Sequence, residues 1–224
     1  MAETLISLEQ DATRLRRAFL WAISFTALLW LIKLTEIGLS VDFVQLGIYP
    51  RAQNGVWGLL WAPLLHGSLF HLFANTAPLV ILGTALLYGY PRAAKILIPI
   101  LYLGSGVGVW LFGRVGYHIG ASGLIFGMVF FIFTIGALRW DRRAIALSLV
   151  VFLLYGGMIW GILPQAPGIS FESHLFGALI GTLMAFLLKG RDTPPPEKVY
   201  SWEGEEEGEE PTSEQDDEAW NSWR

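Results

Sequence analysis

Residues 118–127 read HIGASGLIFG and place Ser122 among glycines at the start of a long apolar run. Two interpretations fit these letters. The serine is either a nucleophile, or a small residue that lets two membrane helices touch. The topology of the whole chain and the positions of its four histidines decide between them. Those histidines are His66, His71, His118 and His174.

Composition limits the class of protein. Of the 224 residues, 54% are hydrophobic and only 15% are charged, and the apolar residues come in long blocks typical of membrane proteins. The absence of cysteine excludes disulfides, thiol nucleophiles and cysteine-based zinc sites. The histidines do not form an HExxH zinc motif. We therefore expect no metal, no cofactor and no nucleic-acid partner.

Six apolar stretches have about the 20 residues that are needed to cross roughly 30 Å of hydrocarbon. The predicted fold is therefore an all-α membrane protein with six transmembrane helices. The predicted spans are 18–39, 60–87, 94–113, 121–138, 144–163 and 173–189.

Basic residues predict the orientation of these spans, because they concentrate on the cytoplasmic side of a membrane. One set of span ends holds Arg14, Arg16, Arg17, Arg92, Lys95, Arg139, Arg142, Arg143, Lys189 and Arg191. The opposite connections hold only Arg51 and Arg114. This pattern predicts a cytoplasmic N-terminal segment (1–17), a six-helix membrane domain (18–189) and a cytoplasmic tail (190–224). The tail is acidic, with 2 Lys/Arg against 12 Asp/Glu over 192–224, and we expect it to be disordered.

The predicted topology brings several polar residues to one depth. Spans 2, 4 and 6 run inward from the non-cytoplasmic side. Ser122 and His174 begin spans 4 and 6, while His71 and Asn75 lie two to three turns into span 2. Polar groups inside a membrane are costly and usually face a cavity or one another. We expect these four side chains to share a pocket.

Helical spacing separates the histidines into two groups. His71 and Asn75 are four residues apart and share a helical face. His66 lies five residues before His71 and turns away from that face, so we expect it to fix the outer connection. His118 lies in the predicted loop before Ser122, and we expect no chemical role for it.

Glycine spacing predicts which helices touch. Gly123 and Gly127 are four residues apart, as are Gly177 and Gly181, and such pairs let helix backbones approach closely in lipid. His174 lies seven residues before Gly181, on the same face. Packing of spans 4 and 6 through these glycines would bring His174 against the start of span 4.

This arrangement predicts a Ser-His dyad. A serine hydroxyl needs an adjacent base, which would be His174 for Ser122. A third, orienting carboxylate is hard to find, since Glu172 would point away from His174 on a helix; Phe126, one turn after Ser122, is expected to stack on the ring instead. The backbone N–H of Ser122 with the side chains of His71 and Asn75 would supply an oxyanion hole.

Three motifs resemble those of the rhomboid intramembrane serine proteases. They are GxSG opening span 4 (120–123), HxxxxHxxxN in span 2 (66–75) and HxxGxxxG in span 6 (174–181). The resemblance covers about residues 18–189 and implies a six-helix rhomboid bundle that cleaves transmembrane substrates near the outer membrane boundary. It implies Ser122 as the nucleophile, His174 as the base, and His71, Asn75 and the Ser122 N–H as the oxyanion hole. Supporting roles fall to His66, Gly120, Gly123, Phe126, Gly127, Gly177 and Gly181.

The chain departs from the rhomboid pattern at two positions. Many rhomboids carry a Trp-Arg pair before the second span, whereas Trp57 is followed by Gly58 here. The position of Phe126 is often tyrosine. Neither change removes a reacting group.

Two other functions compete with proteolysis as interpretations of this sequence. A catalytically silent rhomboid-like protein that binds membrane clients would be marked by loss of the serine or the base, and both are present. A small transporter would need charged residues along a path through the membrane. The expected partners are transmembrane protein substrates and the lipid bilayer. We expect a multi-pass protein of a bacterial inner membrane, with its site open to the non-cytoplasmic side.

Overall fold

The computed structural model describes residues 2–164 and 168–192, with side chains from Glu9 onward. Its regular secondary structure in these residues is helical, apart from one isolated bridge between Ile48 and His118. The α-helices are α1 (Ala2–Gly38), α2 (Gly58–Trp61), α3 (Leu69–Gly89), α4 (Pro91–Phe112), α5 (Ser122–Arg139), α6 (Arg142–Tyr155) and α7 (Phe171–Leu188). Short 3-10 turns occupy Val44–Leu46, Asn54–Trp57, Ala62–Leu64 and Gly156–Ile162.

Six segments of the described chain are long and apolar enough to cross a membrane. They are Glu9–Gly38, Leu69–Gly89, Pro91–Phe112, Ser122–Arg139, Arg142–Ile162 and Phe171–Leu188. The prediction of an all-α membrane fold with six transmembrane helices is therefore confirmed. The protein is a multi-pass membrane protein.

The predicted start of span 2, at residue 60, is wrong. Its helix, α3, begins only at Leu69, and residues 58–64 form α2 and a 3-10 turn that contains Pro63. The Ser68 hydroxyl accepts a hydrogen bond from the His71 N–H at 3.0 Å, which caps a new helix at this point. His71 consequently lies in the first turn of α3, and not two to three turns into a span.

Span 5 is confirmed within two residues at each end, at Arg142–Ile162, whereas the helix of span 1 extends well before residue 18. The helix of span 1 starts at Ala2, so no helix boundary marks the predicted segment 1–17. The α-helix of span 5 ends at Tyr155 and continues as a 3-10 segment, Gly156–Ile162. This change falls on Gly156 and Gly157, because glycine is among the weakest helix formers. The predicted acidic tail lies outside the described residues from Thr193 onward.

Helix α5 is the centre of the bundle. It packs on α3, α4, α6 and α7, and its residues Ile125, Phe131, Ile132 and Ile135 are fully buried. A helix that is apolar on all sides is typical of such a central position. Ser122, the first residue of α5, is therefore held by the most enclosed element of the fold.

The connection between α1 and α3 is fastened to the end of α4. The Arg51 guanidinium donates to the carbonyls of Leu111 (3.4 Å) and Gly113 (2.9 Å). The negative end of the α4 dipole also stabilises a cation at this place. A Cβ atom at Gly58 would overlap the backbone of Gly47. This backbone contact leaves no room for the arginine that many rhomboids have after Trp57.

The opposite end of the bundle is fastened by Arg139 and Asp192. Arg139 pairs with Asp141 at 2.9 Å and donates to the Asp192 carbonyl. The Asp192 carboxylate accepts from the N–H groups of Arg92 and Ala93, and so caps the N-terminus of α4. The end of α7 is thereby tied to α4 and α5.

Candidate active site

Ser122 is placed by a tight turn at the start of α5. Gly120, two residues earlier, has a φ of +116°, which favours glycine, and its N–H donates to the Ala62 carbonyl at 2.8 Å. The Ser122 side chain is largely buried, with the residue 9% exposed. The first amides of a helix have no intrahelical partner and carry the positive end of its dipole, which suits them to bind a developing anion.

Helices α5 and α7 touch through their glycines. A Cβ atom at Gly177 would overlap the carbonyl oxygen of Gly123, and one at Gly181 would overlap that of Gly127. A Cβ atom at Gly123 would lie 3.1 Å from the carbonyl oxygen of Ser173. The residue after Ser122 and the residue before His174 are therefore neighbours, in the contact that the glycine spacing predicts.

The ring of His174 is held on two sides. Its Nδ1 donates to the Gly161 carbonyl at 2.9 Å, and the Phe126 ring stacks on it with centroids 4.1 Å apart and planes 4° apart. Because a carbonyl can only accept, Nδ1 carries a proton, and in the neutral imidazole Nε2 then has the free lone pair. The stack with Phe126 is the one that the sequence suggests.

The Ser122 hydroxyl and the His174 ring are not hydrogen-bonded to each other in the described chain. Catalytic hydrogen bonds in enzymes without substrate are often long and tighten only when substrate binds. What the fold supplies is a neutral imidazole of defined tautomer, on a helix in backbone contact with the helix of the serine.

His71 and Asn75 face the turn before Ser122. A Cβ atom at Gly120 would lie 2.7 Å from Cε1 and 2.9 Å from Nε2 of His71, and 3.9 Å from Nδ2 of Asn75. Both side chains of α3 thus lie beside the backbone that leads into Ser122, and glycine is required at residue 120 by its neighbours as well as by its φ.

The expectation that His66 turns away from Asn75 is wrong. His66 Nε2 lies 3.0 Å from Asn75 Nδ2, and its ring packs edge-on to that of His71 with centroids 5.0 Å apart. The helical-face argument fails because α3 starts after His66. Burial, aided by the nearby His71, lowers the pKa of His66 to about 3, so the ring is neutral and Nε2 can accept from the Asn75 amide.

A cavity of about 430 Å³ opens beside this group of side chains. His71, Arg114, His118 and Ser170 contribute its polar lining. No group of three His, Cys, Asp or Glu side chains in the described residues could hold a metal ion. The polar groups at this end of the bundle instead suit proton transfer and anion binding.

Comparison with known proteins assigns the family. The family model for the Rhomboid domain matches residues 53–191, more than half of the chain. The protein belongs to the rhomboid family.

The relatives of this rhomboid include bacterial and plant proteins. An uncharacterized protein of Mycobacterium tuberculosis is 41% identical over 176 residues, which cover 74% of this chain and 73% of the relative. An uncharacterized protein of Mycobacterium leprae is 34% identical over 179 residues, covering 74% and 69%. RHOMBOID-like protein 1 of Arabidopsis thaliana is 31% identical over 144 residues, covering 60% and 35%.

Two features of this rhomboid's site were missed by sequence reasoning. The Gly161 carbonyl is a backbone group that every residue has, so no letter marks it. The ion pair of Arg114 with Glu172 joins residues 58 apart, and their pairing has no local signal. Glu172 pairs with Arg114, and no hydrogen bond joins it to His174 in the described residues.

Proposed function

We propose that this rhomboid is an intramembrane serine endopeptidase that cleaves transmembrane segments near the outer membrane boundary through Ser122 and His174. The observation that carries the proposal is the fixed ring of His174, with Nδ1 on Gly161 and one face on Phe126, on a helix that touches the helix of Ser122 backbone to backbone. Family membership supports it, as does the presence of both reacting side chains.

Acylation follows from this geometry. Ser122 Oγ attacks the scissile carbonyl carbon while His174 Nε2 takes the hydroxyl proton. The resulting imidazolium keeps its Nδ1–H on the Gly161 carbonyl. The tetrahedral oxyanion is bound by the Ser122 N–H and by the side chains of His71 and Asn75. As the C–N bond breaks, His174 returns its proton to the leaving amine, and an acyl-enzyme remains.

Deacylation repeats these steps with water. His174 Nε2 removes a proton from a water molecule, whose oxygen attacks the ester carbonyl and forms a second oxyanion in the same place. The C–O bond to Ser122 then breaks, and His174 reprotonates the serine. Water entering the cavity that His71 lines is the proposed nucleophile.

Gly161 and Phe126 do the work that an orienting carboxylate does in a triad. A triad aspartate fixes the histidine tautomer and stabilises the imidazolium. Here the carbonyl fixes the tautomer and the aromatic ring fixes the plane. The dyad therefore needs no acidic partner for His174, and Glu172 is free to pair elsewhere.

The orientation of the chain completes the proposal. The basic residues favour cytoplasmic termini in a bacterial inner membrane and a site open to the non-cytoplasmic side. The substrates are transmembrane segments of other membrane proteins, which reach the site from the lipid bilayer. The chemistry uses only groups of the chain and water.

The test is cleavage of a panel of reporter membrane segments by the purified protein in liposomes. We expect cleavage by the wild type, and a loss of roughly 1,000-fold or more in Ser122→Ala and His174→Ala. Ser148→Ala is the matched control, because Ser148 is 9% exposed like Ser122 but lies on α6; it should cleave at the wild-type rate. A wild type that binds the reporters and cuts none would instead be a silent client-binding protein.

Asn75→Ala tests the oxyanion hole. Loss of one such donor costs about 100- to 1,000-fold in rate in other enzymes, so a decrease of that order is expected with little loss of folded protein. Cleavage at the wild-type rate would remove Asn75 from the proposed role.

A further inference from the structure

The loop that leads into Ser122 is joined to the first turn of α7 by Arg114. The backbone N–H of Arg114 donates to Glu172 Oε1 at 3.2 Å, and Arg114 Nε lies 3.2 Å from the same oxygen in an ion pair. The guanidinium also donates to the Ile169 carbonyl and lies over the Phe171 ring, 5.2 Å from its centroid. One arginine thus contacts three residues at the beginning of the helix that carries His174.

A second contact joins the same two segments. His118 Nε2 lies 2.9 Å from the Arg114 carbonyl and His118 Nδ1 lies 2.6 Å from Ser170 Oγ. Because the carbonyl only accepts, Nε2 carries the proton, and the Ser170 hydroxyl donates to Nδ1. Ser170 Oγ also accepts from the Ser173 N–H and caps α7. His118, which the sequence left without a chemical role, therefore holds the residue that starts this helix.

The Arg114–Glu172 pair joins a buried carboxylate to an arginine whose side chain is 45% exposed. Glu172 is only 5% exposed, and its Oε2 has no hydrogen-bond partner in the described chain. Exposed ion pairs contribute little, but a buried carboxylate depends on its partner. Glu172 also lies in the first turn of α7, where the helix dipole favours an anion. The position of this turn is therefore tied to the position of Arg114.

We propose that the Arg114–Glu172 ion pair and the His118–Ser170 hydrogen bond, together the Arg114 clamp, position the ring of His174 against Ser122. This inference rests on the proposed proteolytic function. The glycine contacts fix α5 and α7 from Gly123 and Gly177 inward. The clamp fixes the turn that precedes them, where the first helical amides have no intrahelical partners.

The clamp matters for rate because proton transfer is sensitive to small displacements. A reacting group misplaced by about 1 Å can cost about 100-fold in rate. Arg114, His118 and Ser170 also line the cavity beside His71, so the split between kcat and KM separates a loss of positioning from a loss of binding. Loosening the first turn of α7 would move the His174 ring relative to the serine. Residues of the clamp are therefore positioning residues, which affect kcat more than KM.

The test measures kcat and KM of Glu172→Gln, Arg114→Gln and the double variant with a cleaved reporter. Each single variant should lower kcat about tenfold with KM within twofold of wild type. The double variant should be no slower than the slower single variant, since the two residues act as one unit. Arg114→Lys, which keeps the charge, should regain part of the loss. The rate of fluorophosphonate labelling should fall with kcat, because it reports the reacting pair without the substrate.

Arg139→Gln is the matched control. It removes an ion pair at the opposite end of α5, where Arg139 Nε lies 2.9 Å from Asp141 Oδ2. We expect it to lower the melting temperature and leave kcat of the folded protein within twofold. The same readout in Glu172→Gln, a lower melting temperature with wild-type kcat, would overturn the clamp and leave the proteolytic function standing.

Two further variants keep the test decisive if Glu172→Gln does not fold. Ser170→Ala removes the hydroxyl that joins His118 to α7 and caps that helix, and we expect a severalfold lower kcat. Wild-type kcat in both Ser170→Ala and Arg114→Gln would overturn the clamp. If the wild type cleaves no reporter, the proposed function itself fails, and the clamp has no reaction to serve.

Discussion

The α5–α7 contact and the α6 segment differ sharply in packing, yet both hold His174. Of the residues in the apolar stretch of α5, 67% are buried. In the stretch formed by α6 and its 3-10 extension, 6% are buried. The first supplies Phe126 and the backbone contact at Gly123, and the second supplies the Gly161 carbonyl. The nucleophile is thus fixed by the most enclosed helix, while the tautomer of the base depends on a weakly packed segment.

The difference has a dynamic consequence. Segments with few buried contacts open at lower free energy than the core. We therefore expect the hydrogen bond from His174 to Gly161 to break before the α5–α7 contact does. Displacement of Gly156–Ile162 would release the His174 ring and leave Ser122 in place.

The largest effect is expected where α5 meets α7. Gly177→Ala places a methyl group on the Gly123 carbonyl, a backbone group that cannot move aside, so the helices must separate. Overpacking costs about 1–3 kcal/mol in a core, and we expect at least a 100-fold loss of reporter cleavage together with a lower melting temperature.

Gly157→Ala is its counterpart in the loosely packed segment. A Cβ atom there has no neighbour within 4 Å, so rate and melting temperature should match the wild type. Equal behaviour of the two variants would refute the contrast between the two regions.

A smaller effect is expected at Gly161. A Cβ atom there would lie 2.6 Å from Phe126 Cζ and 3.4 Å from His174 Nδ1, and side-chain rings can shift where a backbone cannot. Gly161→Ala should lower the cleavage rate about tenfold with a near-normal melting temperature. Nitrogen-15 NMR of His174 should show protonated Nδ1 in the wild type and a mixture of tautomers in the variant. An unchanged spectrum and rate would contradict the expected displacement of the His174 ring from the Gly161 carbonyl.

Loss of the ring stack should have a milder effect. Phe126→Leu keeps an apolar side chain but removes the stacked face, and aromatic pairs contribute about 0.5–1.5 kcal/mol beyond burial. We expect a threefold to tenfold lower cleavage rate. Phe133→Leu is the control, because it removes a stack with Phe152 in the α5–α6 contact, away from His174. If both variants slow cleavage equally, general packing and not the His174 stack explains the loss.

The smallest effect on activity at neutral pH is expected at His66, whose folded pKa of about 3 lies below its ordinary value. Below pH 6.5 His66 is protonated in the unfolded chain but not in the folded chain. The free energy of unfolding therefore decreases as the pH falls from 6.5 toward 3. At pH 5 this amounts to about 2 kcal/mol. Melting temperatures of His66→Gln should therefore fall less between pH 7 and pH 5 than those of the wild type; parallel curves would show that His66 titrates normally.

The elements that sequence predicted well are those with strong local signals. Hydropathy predicts the six spans, and glycine spacing predicts the α5–α7 contact, because each signal lies within single segments of the chain. The start of α3 was missed because the apolar residues 58–64 resemble a continuing span, although Pro63 and Ser68 mark the break. That error carried over to His66, whose contact with Asn75 requires a turn before the helix.

The parts of the site that sequence could not predict are long-range or made of backbone. Arg114 and Glu172 are separated in the sequence by α5 and α6, so only the packed fold brings them together. The Gly161 carbonyl is a backbone group and has no side-chain signature. Glycine replaces the usual rhomboid arginine at position 58 because a side chain there would overlap the backbone of Gly47, a contact that the sequence does not reveal. The chemical roles of Ser122, His174, His71 and Asn75 stay predictions until activity is measured.

The most direct measurement is the site of covalent labelling by a fluorophosphonate probe at neutral pH, mapped by mass spectrometry. The account predicts one adduct, on Ser122, that is lost in His174→Ala while Phe133→Leu keeps it. A wild type that stays unlabelled in liposomes, or an adduct on another serine such as Ser105 or Ser173, would contradict it.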